Sequence, residues 1–343
     1  MVDRKYYSEN PEKVIEATGV FKYVMAITLD PRTNYKEGIV RCVMDRDGDI
    51  QFKGYTSKSK LYKIKGDSLF KFNIVEPLII KGEEEVVKNL SDEMDNFIGL
   101  EDPDIWIDKE TNLMHVYFTI PIKPLDEKEK MKIHLGHAVG KDLGSLEMTE
   151  PVLVDINTSR AKEVSIAPVN KRGFRYNLVE SKDRSLSTSH AVIVTALVHD
   201  MGKPWEYGDT AFHPAEHNID WIAGHASPGP LFPKSFIDIG EGKLVGIING
   251  CQADQMIGDK TKYGDFSIGL FIYDYENGKI DWVSPEPFIQ DSEAGKDGGR
   301  AITFASQFIE TGTGQGILYA HVDDSFVRAY TLKAEDIKSL LPL

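Results

Sequence analysis

The amino-acid sequence predicts an all-β protein, and more specifically a five-bladed β-propeller. Three observations favour this fold. Short β-rich runs bounded by turn residues follow one another along the 343-residue chain, stretches that could form helices are few, and one pattern of turn, strand, turn and strand recurs five times. Five units of about four short strands each suit the chain length, and their closure into a ring protects the sheet edges.

The elements can be placed in chain order. The recurring unit is found at residues 22–44, 111–143, 171–205, 242–274 and 316–332. Helices are expected only at 10–17, 83–93 and 334–341. We expect a single domain over residues 1–343, with a short N-terminal segment at 1–19, an acidic insertion at about 81–95 and a C-terminal tail at 333–343. A β-sandwich is the structural alternative, although sandwiches seldom repeat at this interval.

Composition limits the classes of function. The chain has 40 basic and 54 acidic residues, a formal net charge of −14, and no concentrated basic patch. This balance disfavours binding to nucleic acid. No segment approaches the roughly 20 apolar residues of a membrane span. The N-terminus has no secretory pattern and the chain has only two cysteines, so a cytoplasmic location is expected.

Common catalytic motifs are absent from the sequence. It has no phosphate-binding loop, no dinucleotide fingerprint and no serine-hydrolase elbow. His213 and His217 lie four positions apart with a carboxylate between them. Pro214 disfavours the helix that would let the two histidines share a zinc ion. No catalytic metal and no cofactor are therefore predicted.

A cluster of carboxylates is the strongest candidate for chemistry. Glu101, Asp102 and Asp104 fall within four positions at the start of a predicted inner strand, and Trp106 follows. Strand alternation would place Asp102, Asp104 and Trp106 on one face. Like charges this close raise at least one pKa, which keeps a carboxylic acid protonated for general acid catalysis, and an aromatic ring can support a sugar. The alternative is a structural turn with the Trp in the core.

Several short motifs occur in the order in which one enzyme family carries them. They are Glu-Asp-Pro-Asp (101–104), Val-Tyr-Phe-Thr (116–119), Lys-Glu (162–163), Ala-Pro (167–168), Gly-Phe-Arg-Tyr (173–176), a Gly/Pro-rich turn (224–230), Asn-Gly (249–250) and Leu-Tyr-Ala-His-Val-Asp (318–323). Through them the chain resembles the five-bladed propeller glycosidases, and most of all glycoside hydrolase family 130, the mannoside phosphorylases and mannosidases. The resemblance spans roughly residues 20 to 330.

The resemblance implies an enzyme that cleaves β-mannoside-like oligosaccharides by inversion, with Asp102 as the general acid. In the phosphorylases of that family, an Arg after the motif helps to hold inorganic phosphate. Here Asp104 stands at that position, and 179–181 read Val-Glu-Ser where the family has His-Arg-Pro. These departures weaken the expected phosphate site, so hydrolysis by water is at least as well supported as phosphorolysis.

An inverting hydrolase needs a second carboxylate about 6.5 to 9.5 Å from the acid. Glu163, beside Lys162 on the next blade, is the first candidate for this base. Asp30 is the second, because related propeller glycosidases place an Asp base in the first blade. The predicted substrate-binding residues are Glu101, Asp104, Trp106, Lys162, His225, Asn249, Arg300 and Asp323.

Two alternative functions remain. The first is a non-catalytic carbohydrate-binding or scaffolding propeller, which the departures at Asp104 and Asn249 would suit. The second is a glycosidase acting on arabinosides or xylosides. The expected partner is an oligosaccharide or small glycoside, with no nucleic acid and no membrane, and the chain could form a homo-oligomer. Inorganic phosphate is the candidate co-substrate, and a structural Ca²⁺ on the propeller axis is compatible with the fold.

Overall fold

The computed structural model describes residues 6–91, 97–124, 130–156, 160–183 and 190–342. In these residues the chain forms mainly antiparallel strands, and its helices are short. No helix within these ranges combines the length and the apolar character that a membrane crossing requires.

The first half of the chain contains two short strands and two four-stranded blades. The opening strands are β1 (Tyr7–Glu9) and β2 (Ile15–Glu16). Blade 1 consists of β3 (Tyr23–Leu29), β4 (Glu37–Asp47), β5 (Thr56–Ser68) and β6 (Lys71–Pro77), and helix α1 (Glu83–Leu90) follows it. Blade 2 consists of β7 (Glu101–Ile107), β8 (Met114–Ile122), β9 (Lys132–Gly140) and β10 (Glu147–Met148).

The second half contains three more blades. Blade 3 consists of β11 (Lys162–Ser165), β12 (Arg175–Asp183), β13 (His190–Val198) and β14 (Glu206–Phe212). Blade 4 begins with β15 (His225–Leu231) and β16 (Lys243–Cys251), continues with a hairpin of β17 (Gln255–Ile257) and β18 (Lys260–Lys262), and ends with β19 (Phe266–Asp274) and β20 (Lys279–Val283). Blade 5 contains β21 (Thr303–Gly312), β22 (Gln315–Val322) and β23 (Phe326–Lys333), and helix α2 (Ala334–Lys338) follows.

The N-terminal strands close the ring. Strand β1 pairs antiparallel with β23 and so supplies the fourth strand of blade 5 from the opposite end of the chain. Strand β2 also pairs with β23. The five innermost strands, β3, β7, β11, β15 and β21, contact one another in cyclic order. This arrangement confirms the five-bladed propeller and excludes the sandwich.

A buried charge cluster ties the two chain ends together. Arg328 on β23 is 1% exposed, and its Nε lies 2.6 Å from Asp291 and its Nη2 3.0 Å from Glu293. Its Nη1 donates to the carbonyl oxygen of Asn10 at 2.8 Å. The guanidinium therefore joins the N-terminal segment to the last blade at the point of ring closure.

The core lies between the blades, because the central strands of each blade are covered on both faces. Every position of β8 is buried, which explains its nearly continuous apolar sequence. In blade 4, Trp221 packs against β16 and β19 where Gly250 and Gly269 leave room for the ring. A Cβ atom at either glycine would lie 2.3 Å from the indole.

Irregularities in three inner strands direct side chains towards the propeller axis. The strand register shifts between Met25 and Ile27, between Glu101 and Asp104, and between Lys162 and Val164. The residues within these bulges, Ala26, Asp102 and Glu163, have φ angles of 50°, 47° and 48°. This left-handed conformation is unusual for residues other than glycine, and a bulge changes the direction of its side chain. Blades 1, 2 and 3 thus present one residue each at matching bulges.

Two helix predictions need correction. Residues 10–17 form no helix: the short strand β2 lies there because Ile15 pairs with Val327 across the closing blade. The helix predicted at 334–341 is shorter and ends at Lys338. Helix α1 lies within the predicted 83–93 and ends at Leu90, and residues 92–95 of the predicted acidic insertion lie outside the described residues.

Candidate active site

A cavity of about 340 Å³ lies where the five blades meet, and we call it the axial cavity. Every blade contributes to its wall. The charged and histidine side chains that line it include Arg41, Lys53, Glu101, Asp102, Arg160, Lys162, Glu163, Lys182, His225, Asp254, Arg300, His321 and Asp324. Its volume is within the range of small-molecule sites, and its walls are densely charged.

Asp102 is an ionised carboxylate held by two cations. Arg41 on β4 donates from Nη1 to Asp102 Oδ1 at 2.9 Å, and Lys162 Nζ lies 3.4 Å from Oδ2. Burial alone would raise the pKa of Asp102, but the charges of Arg41 and Lys162 outweigh it and hold that pKa below its usual range. This arrangement favours the ionised form of Asp102 and does not by itself support the general-acid role expected for it.

Glu163 is the second carboxyl group of this contact, and its surroundings favour the protonated form. Its Oε1 lies 3.5 Å from Lys162 Nζ, and its carboxyl is hydrogen-bonded to Asp102. Burial, followed by the negative charge of Asp102, raises the pKa of Glu163 well above its usual value, and Lys162 offsets only part of this rise. Glu163 therefore donates its proton to ionised Asp102. The contact leaves no space for a water molecule between the two groups, so Glu163 does not have the spacing expected of a base opposite Asp102.

Arg41 connects this pair to a third carboxylate. Its Nη2 donates to Glu101 Oε1 at 2.5 Å, and its Nε donates to Ser59 Oγ at 2.8 Å. Burial is the main cause that raises the pKa of Glu101, and Arg41 opposes it. Glu101 thus lies in the cavity as expected, but as a partner of the arginine. The sequence reasoning missed Arg41, because it comes from blade 1 and no local pattern connects it to the Glu-Asp-Pro motif.

A second charge cluster surrounds Glu180, which the sequence reasoning also missed. Its side chain is fully buried in β12, where it accepts from Arg160 Nη2 at 2.8 Å and contacts His225 Nε2 at 2.9 Å. Burial would raise the pKa of Glu180, but His225 and Lys162 hold it below its usual range. A carboxylate directly after Leu178 and Val179, in the middle of a buried strand, is the signal that could have indicated it. Lys162 and His225 line the cavity as expected.

Asp104 and Trp106 do not line the axial cavity. The bulge at Asp102 breaks the expected alternation, and Asp104 lines a second cavity of about 200 Å³, which Asp102 and Glu163 also border. Burial raises the pKa of Asp104 to about 7. Trp106 also borders the second cavity, where its ring lies 5.4 Å from the Arg175 guanidinium. Asp102, Asp104 and Trp106 thus border one cavity together, as expected, although Asp104 and Trp106 are absent from the wall of the axial cavity.

Three further predicted site residues do not line the axial cavity and make structural contacts. Asp30 accepts from the backbone N–H of Arg32 at 2.9 Å and forms an ion pair with its guanidinium at 3.0 Å, away from the axial cavity. Asn249 is fully buried and bonds both backbone groups of Ala305. Asp323 accepts from backbone N–H groups at 2.9 Å. Its neighbour Asp324 lines the cavity in its place.

Asp324 completes the charged wall on blade 5. Its Oδ1 lies 3.2 Å from His321 Nε2, and its Oδ2 lies 3.9 Å from Arg46. Burial would raise the pKa of Asp324, but the hydrogen bond and charge of His321 lower it to about 2. In the part of the chain that the structure describes, no three His, Cys, Asp or Glu side chains are grouped so that they could hold a metal ion.

Comparison with known proteins identifies similar structures only. No protein-family model and no curated protein sequence matches the chain. A putative glycosidase from Bacteroides thetaiotaomicron has a TM-score of 0.67 at 15% identity, over 95% of this chain and 96% of that one. A β-1,2-mannobiose phosphorylase from Listeria innocua has a TM-score of 0.63 at 14% identity, over 99% of this chain and 98% of that one. A glycosyl hydrolase from Bacteroides ovatus has a TM-score of 0.64 at 14% identity, over 96% of this chain and 94% of that one. At sequence identities of 14% to 15%, these similarities are evidence of a shared fold.

Proposed function

We propose that this protein cleaves glycosidic bonds in the axial cavity, with Glu163 as the general acid. The observation that carries the proposal is the buried contact between Glu163 and Asp102 in the wall of the axial cavity, where burial and the charge of Asp102 raise the pKa of Glu163. A glycosidic oxygen is a poor leaving group until it is protonated, and a buried carboxyl with a raised pKa is a suitable proton donor near neutral pH. The proteins with similar folds, named as glycosidases and as a mannobiose phosphorylase, support this proposal by analogy.

Each charged residue then has a defined part in the reaction. Glu163 transfers its proton to the oxygen of the departing sugar as the bond to the anomeric carbon breaks. The new Glu163 carboxylate is stabilised by Lys162, whose Nζ lies 3.5 Å away. Asp102 is a positioning residue: it accepts the Glu163 hydrogen bond, keeps the pKa of that group high, and is itself fixed by Arg41.

The attacking group is phosphate or water. Ala26 occupies the bulge of blade 1 that corresponds to Asp102 and Glu163, so blade 1 supplies a methyl group where a base could have stood. Phosphate brings its own nucleophilic oxygen and needs no base, and Asp104 is not in this cavity to repel it. These two facts favour phosphorolysis. Hydrolysis is the second candidate, with Asp324 as the ionised carboxylate in the same wall.

We propose β-mannoside-like oligosaccharides as the substrate class and attack with inversion. The sequence resemblance to mannoside phosphorylases supports this choice, and so does the fold similarity to a β-1,2-mannobiose phosphorylase. Arabinosides are the alternative, since an endo-arabinase from Bacteroides thetaiotaomicron also has a similar fold, with a TM-score of 0.53 at 13% identity.

Product release tests the proposal. The purified protein is incubated with aryl glycosides and manno-oligosaccharides, with and without inorganic phosphate. Sugar 1-phosphate formed only in the phosphate arm indicates a phosphorylase, and free sugar in both arms indicates a hydrolase. Binding of the oligosaccharides without any product from mannosides, arabinosides or xylosides would contradict the proposal and favour a carbohydrate-binding propeller.

A further inference from the structure

Arg300 is a buried cation in the wall of the axial cavity, and its ion pairing differs from that of the other arginines there. The side chain follows the Gly-rich segment at 295–299 and is 6% exposed. Its Nε donates to the carbonyl oxygen of Gly264 at 2.6 Å, and its Nη2 donates to Cys251 Sγ at 3.4 Å. The guanidinium carbon lies 4.6 Å from the ring centre of Tyr263 and 4.8 Å from that of Phe266. The arginine is thus held firmly without a neutralising charge.

No carboxylate of the described residues lies within ion-pair distance of Arg300. The nearby Asp254 is paired with Lys53 at 3.0 Å, and Asp265 accepts the backbone N–H of Ala301 at 3.0 Å. The other arginines of this wall are each paired: Arg41 with Asp102 at 2.9 Å, and Arg160 with Glu180 at 2.8 Å. A buried, uncompensated charge is unfavourable, so an arginine held in this way is suited to receive an anion from outside the protein.

The anion that fits this position is not the group that attacks the anomeric carbon. Asp102 contacts Arg41 at 2.9 Å and Lys162 at 3.4 Å, whereas Arg300 contacts Gly264, Cys251 and the rings of Tyr263 and Phe266. An attacking phosphate must reach the anomeric carbon, and the oxygen that leaves this carbon must contact Glu163, the proposed proton donor. The partner of Arg300 therefore belongs to a part of the substrate away from the bond that breaks.

The phenol groups of two tyrosines line the axial cavity together with Arg300. Tyr55 precedes β5, and Tyr263 follows the hairpin of β17 and β18, which pairs with the segment before Tyr55. Their rings are 6.2 Å apart in an edge-to-face arrangement, and both line the axial cavity. Within the described residues neither hydroxyl has a hydrogen-bond partner, so both are free to donate to oxygen atoms of a ligand.

We propose that Arg300, with Tyr55 and Tyr263, binds an anionic substituent of the sugar, either the carboxylate of a uronic acid or a phosphate ester. This inference rests on the proposed function for the identity of the ligand as a sugar. A guanidinium offers two parallel N–H donors to such a group, which gives both charge compensation and orientation. Mannoside-like oligosaccharides that carry such an acidic substituent would then bind more tightly than their neutral counterparts.

Calorimetric titration of the full chain tests this subsite without requiring turnover. The ligands are hexuronic acids, hexose 6-phosphates, the matching neutral hexoses and inorganic phosphate. We expect the uronate or the hexose phosphate to bind at least about tenfold more tightly than its neutral counterpart, a difference of about 1.4 kcal/mol. Equal binding of charged and neutral sugars, or a preference for inorganic phosphate alone, would overturn the proposal.

Variants separate this subsite from the proposed catalytic site. Arg300→Gln should abolish the preference for the charged sugar, and Arg300→Lys should retain only part of it because a lysine cannot bind in a bidentate manner. The matched control is Arg172→Gln, an exposed arginine outside the cavity. Glu163→Gln should bind charged sugars as the wild type does. Retained preference in Arg300→Gln refutes the subsite alone, and undiminished turnover in Glu163→Gln refutes the proposed acid alone.

Discussion

Replacing the proposed proton donor is the most informative perturbation of this site. Glu163→Gln keeps the size of the side chain, and its amide can still donate to Asp102, so the surrounding ion pairs with Lys162 and Arg41 are preserved. The variant removes only the proton that the leaving oxygen needs. General acid catalysis contributes about 10²- to 10⁴-fold, which corresponds to about 2.7 to 5.4 kcal/mol in the activation free energy. We expect kcat on oligosaccharides to fall within this range.

The leaving group and the pH give two internal checks on that prediction. A nitrophenyl leaving group departs without protonation, so its rate should fall much less than that of an oligosaccharide. The wild-type rate should be present below the raised pKa of Glu163 and be lost as pH rises through it, because the protonated form is the active one. The variant should lack that alkaline limb. Steady-state kinetics across pH, with exposed Glu76→Gln as the matched control, provide the assay.

Two results would refute the reasoning. The first is a Glu163→Gln rate within about twofold of the wild type on oligosaccharides, since general acid catalysis contributes far more than that. The second is an equal loss for nitrophenyl and oligosaccharide substrates, because a residue that only maintains the cavity would affect both alike.

Three further predictions concern the contact between Asp102 and Glu163, the Arg328 cluster at the ring closure, and the close approach of Gly99 to strand β5. Asp102→Asn removes the charge that, after burial, raises the pKa of Glu163, so the alkaline limb of the pH–rate profile should move to lower pH. Arg328→Met leaves Asp291 buried without its counter-charge, and urea denaturation should show a loss of about 3 to 5 kcal/mol in the free energy of unfolding. Gly99→Ala should cost at least about 2 kcal/mol in the same measurement, because the Cβ would lie 1.8 Å from a backbone carbonyl of β5.

Matched variants show what would contradict these predictions. If Asp102→Asn abolished activity at every pH while Glu163→Gln remained active, Asp102 would be the acid after all. Arg172→Met removes an exposed arginine, so an equal loss there would show that the closure cluster has no special role. Gly312→Ala meets no atom within 4 Å, and a similar cost at that position would remove the steric explanation for Gly99.

The sequence was sufficient to predict the fold because its repeating signal comes from the buried central strands. Strands β8, β13 and β16 carry long apolar runs between turn residues, and these runs define the repeat. The innermost strands are harder to recognise, since they combine polar site residues with bulges. The predicted helix at 10–17 failed for a related reason: the strand β2 forms only because β23, more than 300 residues away, offers it an edge.

The candidate site could be predicted only in part. The acidic motif indicated Glu101 and Asp102, and the adjoining blade indicated Lys162 and Glu163, because these pairs are local in sequence. The proposed assignment of Glu163 as the acid could not be read from the sequence, since the pKa of Asp102 depends on Arg41, which lies 61 positions before Asp102. The pKa of a carboxyl is set by its spatial neighbours, and those are brought together only by the ring of blades.

The absence of Asp104 from the wall of the axial cavity has a different physical origin. Alternation holds only along a regular strand, and the positive φ at Asp102 interrupts it. A non-glycine residue in the left-handed region gives no signal in the sequence. The same kind of bulge at Glu163 and Ala26 explains how three blades direct matching residues to one axis, and why blade 1 contributes no carboxylate there.

The most direct test of the central claim is a crystal structure of Glu163→Gln with a bound oligosaccharide identified in the product-release assay. If Glu163 is the acid, the glycosidic oxygen should lie in the axial cavity within about 3 Å of the substituted side chain, with Asp102 still held by Arg41 and Lys162. A sugar bound outside this cavity, or a glycosidic oxygen nearer to another carboxylate such as Asp324, would contradict it.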